Sequence, residues 1–333
     1  MRDLRELPKA ELHVHLEGSI RISTLRELAD RDGGTLPHGL RPDDAWRFDG
    51  FLDFIDNYIE ACALLARPGD FRRVAEEFCH DLASQGVRYA EAVFSPSNHA
   101  ARLDDWYGPI EAALDGLEAG RLATGVEVRL CPDLVRDNGV EEAERTLEVA
   151  LKFAGRGVVA LNAAGSERAP VAAFAPMFRA AKDAGLGSVP HAGEWAGPAN
   201  VWETLELYAP DRIGHGVRAV EDPRLVEELA ARRIPLEVSP VSNVATGVYP
   251  SLAEHPFPRL RADGVTVTLN SDDPSMFGTW LGGVYGAARQ AWGLPDEDLA
   301  KIAGAGIEAS FADGSTKRSM LRGVADWLAA PAD

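Results

Sequence analysis

Cysteine is scarce in this chain, which holds only Cys62, Cys79 and Cys131 among 333 residues. The number is odd and the spacing is wide, so neither a disulfide framework nor a Cys-X-X-Cys metal motif can be built from them. We expect these side chains to pack as small apolar residues. Such cysteine usage favours a reducing compartment and predicts a cytoplasmic protein.

Long apolar runs and basic runs are also missing. No stretch approaches the roughly 20 apolar residues of a membrane-spanning helix, and the charged residues 1–6 lack the apolar core of a signal peptide. The formal net charge is -18 and the sequence pI is about 4.9. A protein this acidic repels phosphate backbones and anionic lipid surfaces, so we expect neither nucleic acid nor membrane partners.

The chain does contain a regular alternation of strand-like and helix-like segments. Eight apolar segments have the length of buried strands: 12–16, 87–94, 126–131, 158–164, 186–191, 211–216, 234–239 and 265–270. Apolar strands that alternate with helices favour parallel pairing through right-handed crossovers. We therefore predict a (β/α)8 TIM barrel that forms a single domain over residues 1–333, with additional helices at the end. Pro96 is expected in a loop, and Pro240 marks the end of a strand.

The first strand carries a His-X-His pattern. His13 and His15 alternate with Leu12, Val14 and Leu16, so a strand places both imidazoles on one face. Two neighbouring neutral imidazoles suit a divalent transition metal, zinc above all. Taken alone, the pattern is better explained as a chance occurrence in an ordinary strand.

Other metal-capable residues fall at the ends of later strands, where a barrel places its functional side chains. These residues are His191, His215, Asp272 and Asp273. Barrel closure makes the eighth strand a neighbour of the first, which brings Asp272 towards the two histidines. Each residue alone has an ordinary structural explanation, but jointly they indicate a site. The remaining histidines, at 38, 80, 99 and 255, are expected at the surface or in packing.

Three histidines and one carboxylate leave a coordination position for water, whose pKa zinc lowers towards ~7. Glu194 comes three residues after His191 and is a candidate general acid. His215 could accept the proton of the water or stabilise the attacking hydroxide. The set predicts metal-assisted hydrolysis or hydrolytic deamination.

Five motifs in chain order carry a resemblance: residues 8–19 (PKAELHVHLEGS), 191–194 (HAGE), 212–216 (RIGHG), 239–243 (SPVSN) and 270–274 (NSDDP). Together they resemble the adenosine deaminase family of the amidohydrolase superfamily. The resemblance implies one zinc ion bound by His13, His15, His191 and Asp272. It also implies that Asp272 is a catalytic residue as well as a ligand. It further implies that Glu194 protonates N1 of a 6-aminopurine and that His215 assists attack at C6. Asp273 would contact N7, and the Gly165 N–H would approach N3.

The sequence departs from the family pattern at several positions. Asn162 stands where the family usually has an acidic residue, Ser166 lies in the same segment, and Ser239 replaces a frequent cysteine. Glu17 stands where adenosine-specific members commonly carry aspartate, and we expect it on the sugar side of the pocket. The predicted substrate is adenosine or a 5′-modified relative such as aminodeoxyfutalosine. Free adenine or an N6-substituted adenine is the alternative, and a catalytically silent purine- or metal-binding barrel is a third. The sequence leaves the oligomeric state open.

Overall fold

The fold was analysed in a computed structural model, which describes residues 1–331. Eight parallel strands follow one another around a barrel: β1 (Lys9–His15), β2 (Val87–Phe94), β3 (Glu127–Val135), β4 (Ala160–Ala164), β5 in two pieces (Gly187–Ser188 and His191–Ala192), β6 (Ile213–His215), β7 (Leu236–Val238) and β8 (Val267–Leu269). The predicted eight-stranded (β/α)8 barrel is confirmed.

The barrel closes between β8 and β1 just beyond the end of β8. The Asp272 N–H donates to the His13 carbonyl at 3.0 Å, and the His15 N–H donates to the Asp272 carbonyl at 2.7 Å. Val14 and Asp272 form a parallel bridge at the same point. Closure therefore brings the chain segment that carries Asp272 directly against the two histidines of β1.

Helices cover the outside of the barrel. They are α1 (Ile22–Asp32), α2 (Phe51–Ala63), α3 (Pro68–Ser84), α4 (Pro96–Leu103), α5 (Gly108–Thr124), α6 (Gly139–Phe153), α7 (Val171–Asp183), α8 (Pro198–Leu207), α9 (Pro223–Arg232), α10 (Pro240–Ala245), α11 (Phe257–Ala262), α12 (Leu281–Trp292), α13 (Asp296–Ala309) and α14 (Gly314–Ala329). Their apolar faces and the outward side chains of the strands form one large buried core. No helix within residues 1–331 is long and apolar enough to cross a membrane.

Two short helices differ from the sequence-based expectation. Pro96 was expected in a loop and Pro240 at a strand end, but each is the first residue of a helix, α4 and α10. Proline is tolerated there because the first N–H groups of a helix have no partner within it. Both helices begin directly after a strand, so they lie beside the mouth of the barrel and supply residues to the site.

Candidate active site

The imidazoles predicted to bind metal meet at the carboxyl end of the barrel. The ring centroid of His13 lies 4.4 Å from that of His191, and the ring of His15 lies 5.4 Å from that of His191. All three side chains are buried. The alternation of β1 puts its two histidines on the inner face, and β5 supplies the third from across the barrel.

Asp272 reaches this histidine group from the turn after β8. Its Oδ1 lies 3.5 Å from Nε2 of His13 and 3.4 Å from Nε2 of His15. Asp272 and His215 both have left-handed backbones, with φ of 67° and 59°. Non-glycine residues adopt this conformation at an energetic cost, so such strain is characteristic of functional sites. The turns aim both side chains inward.

The donor set fits a divalent transition metal. Ligand-type atoms of His13, His191, His215 and Asp272 lie within 4.8 Å of one another, and those of His15, Asp272 and Asp273 form a second such group. Nε2 of His13 is buried and has no hydrogen-bond partner among the described residues. Burial alone would lower the pKa of His13, but the neighbouring carboxylates of Asp272 and Glu237 raise it to about 10. The carboxylates that favour a proton here also favour a metal cation.

Partners behind the histidines fix their orientation. Oε2 of Glu237 lies 3.1 Å from Nδ1 of His13, and Oδ1 of Asn162 lies 2.9 Å from Nδ1 of His191. Each partner can accept an N–H from Nδ1, which leaves Nε2 as the lone-pair atom. Asn162, the departure from the family pattern, thus keeps the geometry of support but supplies a neutral amide in place of a carboxylate.

A buried charge network lies beneath the site. Nε of Arg212 donates to Oε1 of Glu237 at 2.5 Å, and its Nη2 donates to Glu91. Burial raises the pKa of Glu91, with the Arg212 charge only partly opposing it. Burial acts on Glu237 in the same direction, but Arg212 and His13 outweigh it and lower the pKa. Glu237 is thereby held as a carboxylate facing His13.

Glu194 is a buried carboxylic acid beside the histidine group. Its Oε2 lies 3.7 Å from Nε2 of His215. Burial raises its pKa well above the usual value, and the charges of Asp272 and Glu167 add to this shift. Glu167 also accepts hydrogen bonds from three consecutive backbone N–H groups, those of residues 194–196. Burial thus favours the protonated form of Glu194, and Glu167 holds the backbone that carries it, which is the arrangement a proton donor requires.

Asp273 follows Asp272 in the turn after β8, and Gly165 directly follows the end of β4. Oδ1 of Asp273 is buried without a partner among residues 1–331, and burial together with the Asp272 charge raises its pKa well above the usual value. A Cβ on Gly18 would lie 1.9 Å from Oδ1 of Asp273, so only glycine fits there. Gly165 has a φ of 80° at the end of β4, and its carbonyl accepts from Nη1 of Arg136 at 3.3 Å.

Glu17 belongs to a second group of buried polar side chains, close to His15 and Tyr58. Its Oε1 accepts from the Ser95 N–H and from Nε2 of His99, both at 3.0 Å. Its Oε2, Oδ1 of Asp133 and the hydroxyl of Tyr58 are buried without partners in the described part of the chain. We call Glu17, Tyr58 and Asp133 the acceptor pocket. His99 was expected at the surface or in packing, and the structure gives it this specific role as a partner of Glu17.

Aromatic side chains cover the mouth of the barrel. Phe54 and Tyr58 of α2 pack with Met276 in a small apolar cluster, and the Tyr58 ring lies 6.0 Å from that of His15. The ring of Phe51, at the start of α2, lies 4.8 Å from that of Trp195, the neighbour of the acid. Together they separate the histidine group from solvent.

Three further buried residues take part in the site, and none of them was given a role from the sequence. Nδ2 of Asn243, on α10, lies 3.2 Å from Nδ1 of His215. Oδ1 of the same amide lies 3.1 Å from Nε2 of His255. Asn243 belongs to a recognisable motif, but its partner His255 does not. Asp133 of the acceptor pocket also gave no signal, because its neighbours come from distant strands and helices.

The family model described as "Adenosine deaminase" matches residues 8–327. The chain belongs to the adenosine deaminase family. It is 41% identical to an aminodeoxyfutalosine deaminase of Streptomyces coelicolor (97% of this chain, 86% of that protein). It is 40% identical to an adenine deaminase of the same organism (92% and 91%). The family and these relatives establish a metal-dependent amidohydrolase and support a deaminase acting on adenine-type substrates.

Solved structures agree with this membership. An adenine deaminase from Arthrobacter aurescens superposes with a TM-score of 0.88 at 30% identity (97% of this chain, 99% of that chain). An Arabidopsis N6-mAMP deaminase gives 0.87 at 27% identity (97% and 99%). An amidohydrolase from Burkhoderia ambifaria with bound zinc gives 0.87 at 26% identity (98% and 94%). The adenosine deaminase family fold thus extends over nearly the entire chain.

Proposed function

We propose that this protein is a zinc-dependent hydrolytic deaminase that converts an uncharged 6-aminopurine nucleoside, adenosine or a 5′-modified adenosine, to the 6-oxopurine and ammonia. The observation that carries the proposal is a buried Glu194, whose surroundings raise its pKa, facing a closed group of histidines and Asp272. A neutral carboxylic acid beside a metal-capable cluster supports protonation of a ring nitrogen together with hydrolytic attack on the adjacent carbon.

In this proposal His13, His15, His191 and Asp272 hold the metal. A zinc ion at this position supplies Lewis-acid activation of water at neutral pH. Glu237 and Asn162 hold Nδ1 of His13 and His191, so that both rings direct Nε2 to the metal. The protein itself has to orient the purine, exclude solvent and deliver a proton.

Glu194 donates its proton to N1 of the purine, which makes C6 electrophilic. Asp273, protonated in its buried position, donates to N7 and draws further electron density from the ring. The Gly165 backbone approaches N3. With N1, N3 and N7 assigned in this way, water adds at C6 and the amino group departs as ammonia, which gives the 6-oxopurine. Of the two protons of the water, one goes to the leaving amino group and the other restores the Glu194 acid.

N9 lies between the N3 and N7 edges of the purine and opposite N1, and we propose that it faces the acceptor pocket. Burial raises the pKa of Tyr58 well above its usual value, and the charge of Glu17 adds to the shift, so these two groups lie close together. Of the two nearby arginines, Arg136 donates to the Gly165 and His191 carbonyls and Arg102 to the Cys62 and Leu65 carbonyls. The pocket therefore supports binding of hydroxyl donors and disfavours a phosphate.

Free adenine is a second candidate, and the enclosure of the acceptor pocket favours it. Tyr58 of α2, Asp133 and Glu17 are all buried, and an N9–H group would donate to the same unpartnered oxygens.

The three free, buried cysteines support a cytoplasmic location.

The test measures ammonia release by the zinc-loaded protein from adenine, adenosine, aminodeoxyfutalosine and AMP at equal concentrations. We expect one uncharged compound to exceed AMP by about 100-fold or more in kcat/KM, because a like charge in a buried site costs several kcal/mol. Comparable turnover of AMP would refute the proposed neutral substrate. No turnover of any compound, with zinc bound, would refute the deaminase itself.

A further inference from the structure

A chain of buried hydrogen bonds leads from the backbone of α11 to His215. The Phe257 N–H donates to Nδ1 of His255 at 3.2 Å. Nε2 of His255 lies 3.1 Å from Oδ1 of Asn243, and Nδ2 of Asn243 lies 3.2 Å from Nδ1 of His215. His255, Asn243 and His215 are all buried. We call these contacts the relay.

The direction of every bond in the relay follows from its first donor. A backbone N–H can only donate, so Nδ1 of His255 must be the acceptor and its Nε2 carries the hydrogen. Burial lowers the pKa of His255 to about 3, so the ring is neutral with a single N–H. That N–H donates to the Asn243 oxygen, which leaves the Asn243 amide nitrogen as the donor to Nδ1 of His215.

We infer that Asn243 and His255 are positioning residues that hold His215 as the Nε2–H tautomer, so that it acts as a hydrogen-bond donor to the attacking oxygen and neither as a general base nor as a metal ligand. His215 accepts at Nδ1 and is left with its hydrogen on Nε2. That atom faces Oε2 of Glu194 at 3.7 Å and Oδ2 of Asp272 at 3.8 Å.

Two sets of metal ligands are compatible with the distances alone, and the relay decides between them. Nε2 of His215 lies close enough to His13, His191 and Asp272 to belong to their group. A protonated nitrogen has no lone pair to offer a metal, so the relay removes His215 from competition. His15 is then the third histidine available to the ion.

Packing holds the relay in place. The His255 ring lies 5.0 Å from the Tyr249 ring and 5.9 Å from the Trp292 ring. The Tyr249 N–H donates to the Asn243 carbonyl at 3.0 Å, which anchors the end of α10. These contacts hold the His255 ring and the backbone of Asn243 in the positions that the relay requires.

Nitrogen NMR of the zinc-loaded protein tests the tautomer directly, because protonated and unprotonated imidazole nitrogens resonate far apart. We expect His215 to show a protonated Nε2 and an unprotonated Nδ1. The opposite pattern would overturn the inference. Because this measurement needs no substrate, its result does not depend on the proposed deamination. Only the kcat and KM values of the variants rest on that proposal.

Asn243→Asp is the decisive variant, since a carboxylate only accepts. His215 would then have to donate from Nδ1, which frees the Nε2 lone pair. We expect kcat to fall by about 100-fold or more, the contribution of a correctly protonated catalytic group, with KM nearly unchanged. The visible spectrum of the cobalt-substituted variant should also change, because His215 can now bind the metal. An unchanged kcat and an unchanged cobalt spectrum would overturn the inference.

Two substitutions of His255 form a matched pair in case Asn243→Asp fails to fold. His255→Gln can still accept from the Phe257 N–H and donate to Asn243, so the order of donors survives and most of kcat should be retained. His255→Phe leaves Asn243 free to turn over, and both tautomers of His215 should appear in the nitrogen spectrum. If the two variants lose kcat equally and both keep a single tautomer, His255 has only a packing role.

Discussion

Glu237 offers the sharpest test of how the buried charges serve the site. Both of its oxygens are used: Oε2 lies 3.1 Å from Nδ1 of His13, and Oε1 accepts from Arg212 at 2.5 Å. In Glu237→Gln the single amide oxygen stays with the charged Arg212, so the amide NH2 group faces His13. Nδ1 of His13 must then accept, which moves its hydrogen to Nε2, the atom that a metal requires.

Two effects of different size follow for Glu237→Gln. Loss of the partner behind a ligating histidine should weaken zinc binding by about 10–100-fold. Breaking a buried ion pair costs about 3–5 kcal/mol when the other charge is left alone. Arg212 keeps its bond to Glu91, so we expect a smaller loss, about 2–3 kcal/mol, in the free energy of unfolding of the metal-free protein.

Glu91→Gln is the matched control, because Glu91 pairs with the same Arg212 but does not contact His13. Zinc affinity is measured by competition with a chromophoric chelator, and stability is measured by guanidinium unfolding of the metal-free proteins. Both variants should lose stability, and only Glu237→Gln should lose zinc affinity. Equal zinc affinities in the two variants would refute the reasoning about the His13 tautomer.

Three further predictions concern single side chains. Glu194→Gln should keep its metal but lose about 10²–10⁴-fold in kcat, since the amide cannot deliver a proton; near-normal turnover would remove Glu194 as the acid. Asp272→Ala should bind zinc more weakly in the chelator competition, and full zinc retention would contradict its assignment as a ligand. Burial raises the pKa of Asp133 to about 8 from an ordinary 3.8, so the folded protein holds a proton that the unfolded chain releases. The stability contributed by the protonated Asp133 carboxyl is therefore present below pH 4 and lost as the pH rises through 8. In Asp133→Asn the unfolding free energy lacks this dependence on pH. From pH 5 to 8 the unfolding free energy of the wild type should fall relative to the variant by up to about 4 kcal/mol in denaturant titrations; parallel pH curves would contradict a buried, protonated Asp133.

The sequence predicted those parts of the site that depend on strand periodicity. His13 and His15 follow the alternation of β1, and His191 and Asp272 stand at the ends of strands, where a barrel gathers its functional groups. Their roles as ligands stay predictions, as do those of Glu194, His215, Asp273, Gly165 and Glu17, although the structure brings these residues to one end of the barrel.

Residues whose role depends on a distant partner could not be predicted in this way. His99 reaches Glu17 across 82 positions of the chain, and His255 acts on His215 only through Asn243. No local spacing records such contacts, because they arise from how whole elements pack. Pro96 and Pro240 were misjudged for a different reason: proline ends a helix in most positions but suits its first turn.

The ring contact between Phe51 and Trp195 places a limit on the speed of any catalyst built on this barrel. The histidines are buried in this conformation, so we expect a purine to enter when α2 separates from the segment that carries Trp195. The same segment holds Glu194, so the closure of α2 against Trp195 also positions the acid. The opening rate, and with it the viscosity of the solvent, then sets a ceiling on kcat that no improvement in proton transfer can raise.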